Sequence, residues 1–189
     1  MRPTFRSFSI FLSAAAWVSL SGCGILIGNT RPVEERSESY VVGDLAAVNP
    51  KWIRVKPIPK DQASSTDREE TEVSDVTYHS TETESVIALN SSCRPSFGNP
   101  QHTLNLATQQ LLMGMSHITE RLEQSGDIAQ TQGLETTIHG LISGRNFKMR
   151  VIVLKKGTCL YDLMYLSEPD QFPLHEKEFS YFVSSLRLK

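Results

Sequence analysis

The amino-acid sequence predicts an α+β domain in which an antiparallel sheet is flanked by helices. Residues 147–154 and 159–166 alternate with a period of two, which is typical of β-strands. Residues 100–115 and 172–189 place apolar side chains three or four positions apart, as amphipathic helices do. Because short turns separate the strands, we expect them to pair antiparallel, with the helices covering the sheet.

The first 22 residues have the layout of a secretory signal peptide. Arg2 and Arg6 supply positive charge before an apolar run from Phe8 to Leu20. A helix that spans a bilayer needs about 20 apolar residues, and this run is shorter. We therefore predict an export signal rather than a membrane-spanning anchor.

The signal segment ends at Leu20, Ser21, Gly22 and Cys23, and these four residues resemble the lipobox of bacterial lipoproteins. In that family a signal peptidase recognises the first three residues and cleaves before the cysteine, whose thiol carries diacylglycerol. The resemblance implies lipid attachment at Cys23. Gly24 stands where an aspartate favours inner-membrane retention in that family, so the resemblance also implies the periplasmic face of the outer membrane. The alternative is an ordinary signal peptide that leaves Cys23 as a plain thiol.

Cleavage before Cys23 leaves 167 of the 189 residues, which is enough for one domain with a sizeable core. We predict a signal peptide over residues 1–22, a lipidated cysteine and tether over 23–48, and a single globular domain over 49–189. The mature chain has 17 basic and 21 acidic residues. This balance argues against nucleic acid as a partner, because nucleic-acid binding needs a concentrated basic face.

The first part of the predicted domain combines a short strand with a polar loop. Residues 52–58 can form a strand until prolines interrupt its hydrogen bonding. Residues 60–75 are acidic and poor in apolar side chains, so we expect an exposed loop. A cation-binding loop is the alternative interpretation, but the Asp and Gly spacing of calcium loops is absent from the sequence there.

The remaining elements follow in a regular order. Residues 75–80 and 85–93 predict a hairpin, and Asn99-Pro100 predicts the beginning of the first helix. Strands over residues 134–142, 147–154 and 159–166 are expected to form a meander with turns at Ser143-Gly144 and Lys156-Gly157. The amphipathic C-terminal segment predicts a closing helix.

This order of elements resembles the PsbP-like fold, an α/β/α sandwich. The segments that carry the resemblance are SVIALNSSC, LNLATQQLLMGM, FKMRVIVLKKGTCLYDLMYL and FSYFVSSLRL. Together they span about Trp52 to Leu188. That family includes bacterial envelope proteins and lipoproteins, and the resemblance supplies no catalytic residues.

Cys93 and Cys159 are the two cysteines that remain besides Cys23. Disulfides persist in an oxidising periplasm, so a structural bridge between them is the economical interpretation. A second hypothesis makes Cys93 a nucleophile, oriented through Asp162, with one of three histidines as its base: His102, His117 or His139. Two buried thiols without a bridge are the third possibility.

The five histidines show no spacing typical of metal sites, and no phosphate loop or nucleophile elbow is present in the sequence. We therefore predict no cofactor, no metal site and no enzymatic activity. The expected function is that of a membrane-anchored accessory or assembly factor of the cell envelope, with a protein partner. The alternatives are a small-ligand or lipid-binding module and, further, a hydrolase that uses Cys93.

Overall fold

The computed structural model describes residues 40–55, 75–93 and 99–189. The predicted signal peptide lies outside the described residues, as do Leu20, Ser21, Gly22 and the proposed lipid attachment site Cys23. All of the predicted acidic loop except Asp75 also lies outside them.

The described residues form three helices and nine strands. In chain order they are β1 (Tyr40–Val41), α1 (Leu45–Val48), β2 (Trp52–Arg54), β3 (Val76–Ser80), β4 (Val86–Cys93), α2 (Pro100–Leu111), β5 (Ser116–Ile128), β6 (Thr131–Ile142), β7 (Arg145–Lys156), β8 (Cys159–Ser167), α3 (Phe172–Ser185) and β9 (Arg187–Leu188).

Seven of these strands form one antiparallel sheet in the order β2-β3-β4-β8-β7-β6-β5. The hairpin β3–β4 joins the meander β5 to β8 through pairing of β4 with β8. The short strands β1 and β9 pair separately. Within the described part of the chain, β2 and β5 are the outer strands of the large sheet.

Two apolar clusters cover the two faces of the sheet, and β7 shows why both are needed. Ile152 and Leu154 enter the cluster that contains the buried phenylalanines of α3. Val151 and Val153 enter the opposite cluster, which contains Leu104 of α2. Because successive side chains of a strand point to opposite faces, this apolar run requires cover on both sides. The predicted α+β class, with an antiparallel sheet flanked by helices, is confirmed.

Helix α3 is fixed to the sheet by its aromatic side chains. Phe172 stacks on Tyr165, with ring centroids 4.5 Å apart, and Phe182 meets Tyr78 edge to face at 6.0 Å. Phe179 and Phe182 are fully buried. The spacing of Phe172, Phe179 and Phe182 places all three on one side of a helix with 3.6 residues per turn.

Residues 40–48 belong to the folded body, so the tether that we predicted up to residue 48 is too long. Tyr40 and Leu45 are buried in the cluster beneath α3. Asp44 caps α1 by accepting a hydrogen bond from the backbone amide of Ala46, and it also accepts one from the hydroxyl of Tyr78 at 2.9 Å. These contacts attach the segment to β3.

The hairpin β3–β4, helix α2, the strands β6 to β8 and helix α3 lie where the sequence predicted them. The turns at Ser143-Gly144 and Lys156-Gly157 are also present, with Gly144 and Gly157 at positive φ. Strand β5 was not predicted. It forms a long hairpin with β6 and lengthens the meander to four strands.

Candidate binding edge

Cys93 and Cys159 form a disulfide. They are directly opposed in the pairing of β4 with β8, at the end of one strand and the beginning of the other. The bridge closes a sequence separation of 66 residues and joins the hairpin to the meander. By restricting the unfolded chain, a loop of this length contributes about 4 kcal/mol in the chain-entropy account.

The nucleophile hypothesis for Cys93 finds no support in this arrangement. The bonded sulfur is not a thiolate, and thiolate is the reactive form of cysteine. His139 lies on β6, with β8 and β7 between it and β4. Asp162 lies three residues after Cys159, so it points to the opposite face of the sheet.

Asp162 instead belongs to a polar cluster between β3, β4 and β8. Its Oδ2 accepts a hydrogen bond from Asn90 Nδ2 at 2.7 Å, and Ser91 Oγ donates to Asp75 Oδ2 at 2.5 Å. The pKa of Asp162 is raised to about 7, mainly by desolvation; the Asn90 hydrogen bond lowers it, and the charge of Asp75 raises it. The cluster therefore favours a protonated Asp162 at mildly acid pH.

A second polar contact joins α3 to the β3–β4 hairpin. His175 is buried, its Nε2 lies 3.3 Å from Ser80 Oγ, and its Nδ1 lies 3.7 Å from Glu178 Oε1. Ser80, His175 and Glu178 thus stand in the order of the nucleophile, base and acid of a catalytic triad. However, Ser80 is only 9% exposed, and its Oγ accepts hydrogen bonds from the amides of Glu82 and Thr83. The serine therefore secures the hairpin loop, and the histidine packs edge to face on Trp52.

A groove of about 410 Å³ lies beside this contact. Its lining side chains are Thr81, Glu82, Thr83, Glu84, Glu168 and Gln171. Arg145 bridges Glu84 and Glu168 with N–O distances of 2.6 and 2.7 Å. The groove is open and polar, so it does not match the enclosed apolar pocket that a lipid-binding module requires.

Strand β5 presents the most unusual surface of the described chain. Twelve of its thirteen residues are exposed. Leu122 is 61% exposed and Ile118 is 44% exposed. From Glu120 to Ile128 the strand pairs residue by residue with β6, and no described residue pairs with its outer edge. We call residues 120–128 the β5 edge.

Among the described residues, none uses the outward-facing backbone hydrogen-bonding groups of the β5 edge. In an antiparallel pair, alternate residues direct their amide and carbonyl groups away from the partner strand. Natural proteins usually shorten or distort such edges because they invite strand addition. Here a register shift between Ser116 and Glu120, with His117 at a φ of 48°, distorts only the beginning of the strand. The β5 edge itself stays regular.

Charged side chains of both signs follow one another along the β5 edge. Arg121 Nη2 lies 2.6 Å from Glu123 Oε1, and both side chains remain about 40% exposed. Glu120 and Asp127 are exposed as well. The edge therefore offers one cationic and three acidic side chains, as well as backbone groups, to a partner.

Neither a metal cluster nor a membrane-spanning helix is found in the described residues. No group of three or more of their His, Cys, Asp or Glu side chains could hold a metal ion. No helix in the described part of the chain is long and apolar enough to cross a membrane.

Comparisons with known proteins relate this chain to others by its fold. No protein-family model matches the sequence, and a search of curated proteins found no match. Solved structures similar to the chain include LpqN of Mycobacterium tuberculosis, described as involved in cell envelope biogenesis. It is 10% identical with a TM-score of 0.50, and the match covers 73% of this chain and 84% of LpqN.

Two further solved structures are similar, each 10% identical to this chain. The cyanobacterial PsbP of Synechocystis sp. PCC 6803 matches with a TM-score of 0.47, covering 87% of this chain and 98% of that protein. A protein of unknown function from Pseudomonas aeruginosa, PA94, matches with a TM-score of 0.48, covering 59% and 78%. At this identity the likeness concerns the fold and not the activity.

Proposed function

We propose that this chain is a lipoprotein of the bacterial cell envelope, held to the membrane by diacylglycerol on Cys23, whose domain acts by binding a protein partner rather than by catalysis. The periplasmic face of the outer membrane is its proposed location. The β5 edge is the proposed docking site, where the partner adds an antiparallel strand.

The exposed β5 edge is the observation that carries this proposal. Strand addition obtains affinity from main-chain hydrogen bonds and specificity from side chains that alternate along the strand. Residues 120–128 supply a regular backbone together with Arg121, Glu123 and the exposed Leu122. The disulfide further supports a binding role, because it removes the cysteine on which the hydrolase alternative depended.

The likeness to LpqN is compatible with an envelope role, although it extends only to the fold. Lipid anchoring would give such a domain a fixed place at the membrane surface. A single acyl chain binds only marginally, whereas two or more chains hold a protein stably. A diacylglyceryl cysteine meets that requirement.

Site-specific photo-crosslinking in intact cells tests the proposal. A photoreactive amino acid replaces Leu122 on the β5 edge in one chain and Leu174 on α3 in a matched control, because both leucines are 61% exposed. We expect a crosslinked protein at position 122 and none at 174. The intact mass of the mature chain should also show a diacylglycerol adduct at Cys23.

The variant Cys23→Ser, exported behind an ordinary secretory signal peptide that is cleaved without lipid attachment, completes the experiment. We expect it to leave the membrane fraction and to lose most of the crosslinking at position 122, since the unanchored domain is no longer held near its partner. Equal crosslinking at 122 and 174, or none at either, would contradict binding through the β5 edge. Membrane retention of Cys23→Ser would contradict the lipid anchor.

A further inference from the structure

We propose that the partner at the β5 edge is a second copy of this chain, paired antiparallel with a two-fold axis at Leu122. This inference rests on the proposed function, because it names the occupant of the same docking site. The axis stands perpendicular to the sheet, so the sheet of one copy continues into that of the other. Each copy then presents the same strand to its partner, as two-fold interfaces require.

The position of Leu122 within β5 favours this axis. Strand β5 runs from Ser116 to Ile128, and Leu122 is its midpoint. Pairing about the midpoint therefore gives each of residues 120–124 a counterpart in the second copy. The central residues, 120–124, belong to the regular part of both strands, so the distorted beginning of β5 falls at the two ends of the interface.

In this register, side chains of opposite charge face each other across the two-fold axis. Arg121 stands opposite Glu123 of the second copy, and Glu123 stands opposite Arg121 of the second copy. Opposed residues of an antiparallel pair share a face of the sheet and lie within contact distance. Since Arg121 and Glu123 already form an ion pair within each chain, the two copies combine four charges of alternating sign.

The other central positions face counterparts that cause no repulsion between like charges. Leu122 meets Leu122 of the second copy, so two side chains that are each 61% exposed gain apolar contact. Glu120 meets Gln124 of the second copy. No pair of like charges is opposed within residues 120–124.

Neighbouring registers are less favourable. An axis at Arg121 opposes two arginines, and an axis at Glu123 opposes two glutamates, which repel each other across a sheet. An axis at Gln124 places Arg121 opposite Asp127 of the second copy but leaves Leu122 opposite Gly126 and Glu123 opposite Ser125. Only the axis at Leu122 uses the Arg121 and Glu123 charges together.

The proposed membrane anchor allows such a small interface to form a dimer. A strand pair buries little surface, so the affinity of the two domains in dilute solution is expected to be low. Two lipid anchors in the same membrane confine the domains to one layer and raise their effective concentration. Self-pairing is therefore expected at the membrane surface.

Cysteine crosslinking in membranes tests the inference with the full chain. Leu122→Cys places two thiols across the two-fold axis, whereas Leu174→Cys places an equally exposed thiol on α3. Because Cys93 and Cys159 are already joined and Cys23 carries lipid in the proposed function, the introduced cysteine supplies the reactive thiol. We expect a disulfide-linked dimer for Leu122→Cys and no such dimer for Leu174→Cys.

A charge exchange tests the register. In the Leu122→Cys chain, Arg121→Glu opposes two pairs of glutamates and is expected to lower the dimer association constant about tenfold. Adding Glu123→Arg restores opposite charges across the axis, so the doubly exchanged chain should regain its crosslinking. With an axis at Gln124, Arg121→Glu would instead place a glutamate opposite Asp127 of the second copy, and adding Glu123→Arg would not relieve that repulsion.

The outcomes separate this inference from the proposed function. Absence of the Leu122→Cys dimer, equal crosslinking of Leu174→Cys, or failure of the charge exchange to restore crosslinking would overturn self-pairing about Leu122. If photo-crosslinking at position 122 then captured a different envelope protein, binding at the β5 edge would stand with another partner. If position 122 captured nothing, both proposals would fail.

Discussion

At the scale of single residues, Asp162 is an ionisable side chain that the sheet partly withdraws from water. It lies on β8, opposite Asn90 of β4, and is partly buried among polar and apolar neighbours. Desolvation raises its pKa to about 7, and the negative charge of Asp75 acts in the same direction. The folded chain therefore binds a proton at Asp162 more tightly than the unfolded chain does.

This difference makes stability depend on pH in a definite direction. Because the pKa of Asp162 is higher in the folded state, its contribution is fully present below the unfolded-state pKa and is lost as the pH rises through about 7. Asp162→Asn removes the titrating carboxyl group and keeps a side-chain oxygen that accepts the hydrogen bond of Asn90. We expect this variant to gain about 1–2 kcal/mol over the wild type between about pH 5 and pH 8, after allowance for partial exposure.

Urea unfolding at a series of pH values measures the effect, with Asp127→Asn as control. Asp127 is an exposed aspartate of β5, so this control removes a carboxylate from the surface rather than from the sheet interior. Parallel pH profiles for wild type and Asp162→Asn would show that Asp162 keeps an ordinary pKa. The sequence alone could not have revealed this residue, because its environment arises from the pairing of β4 with β8.

At the scale of secondary-structure elements, the sequence predicts those that bury a face. Strands β7 and β8 and helices α2 and α3 repeat apolar residues at the period of their structure, so each was recognised. Strand β5 buries neither face and therefore has no such period. Its turn to β6 uses Ala129 and Gln130 at positive φ, positions where Gly or Asn would normally signal a hairpin.

The contribution of α3 to the free energy of unfolding can be measured by replacing one of its aromatic side chains. Phe182 is fully buried and meets Tyr78 edge to face. Phe182→Ala should lower the free energy of unfolding by about 3–5 kcal/mol, because it removes apolar contact and leaves a cavity. Leu174→Ala on the exposed side of the same helix should change it by less than about 0.5 kcal/mol. Equal effects in chemical unfolding would contradict the assigned packing of α3.

At the scale of the whole molecule, the two parts of the candidate function differ in how they could be found. A local motif predicts lipid attachment at Cys23, after Leu20, Ser21 and Gly22, and these residues lie outside the described part of the chain. The β5 edge could not be recognised locally, because an edge exists only once the order of strands is known. Tyr40 and Leu45 were missed for a related reason, since isolated apolar residues show no period until they meet the core.

The arrangement of the sheet is compatible with both stability and the proposed binding role. Two apolar clusters and the disulfide hold β4, β8 and β7 at the centre, while β5 extends at one side with both faces exposed. Strand addition at β5 would therefore leave both apolar clusters intact. The proposed docking would therefore not require the domain to refold.

Above all, we expect the outer edge of β5 to be paired when the protein is in its membrane. Amide hydrogen exchange of residues 116–128 in isolated envelope membranes tests this most directly, with Leu122→Lys as the variant that places a charge on the edge. We predict slow exchange of nearly all amides of residues 120–124 in the wild type, and fast exchange of the outward-facing ones in Leu122→Lys. Fast exchange of the outward-facing amides in both chains would contradict strand pairing at the β5 edge.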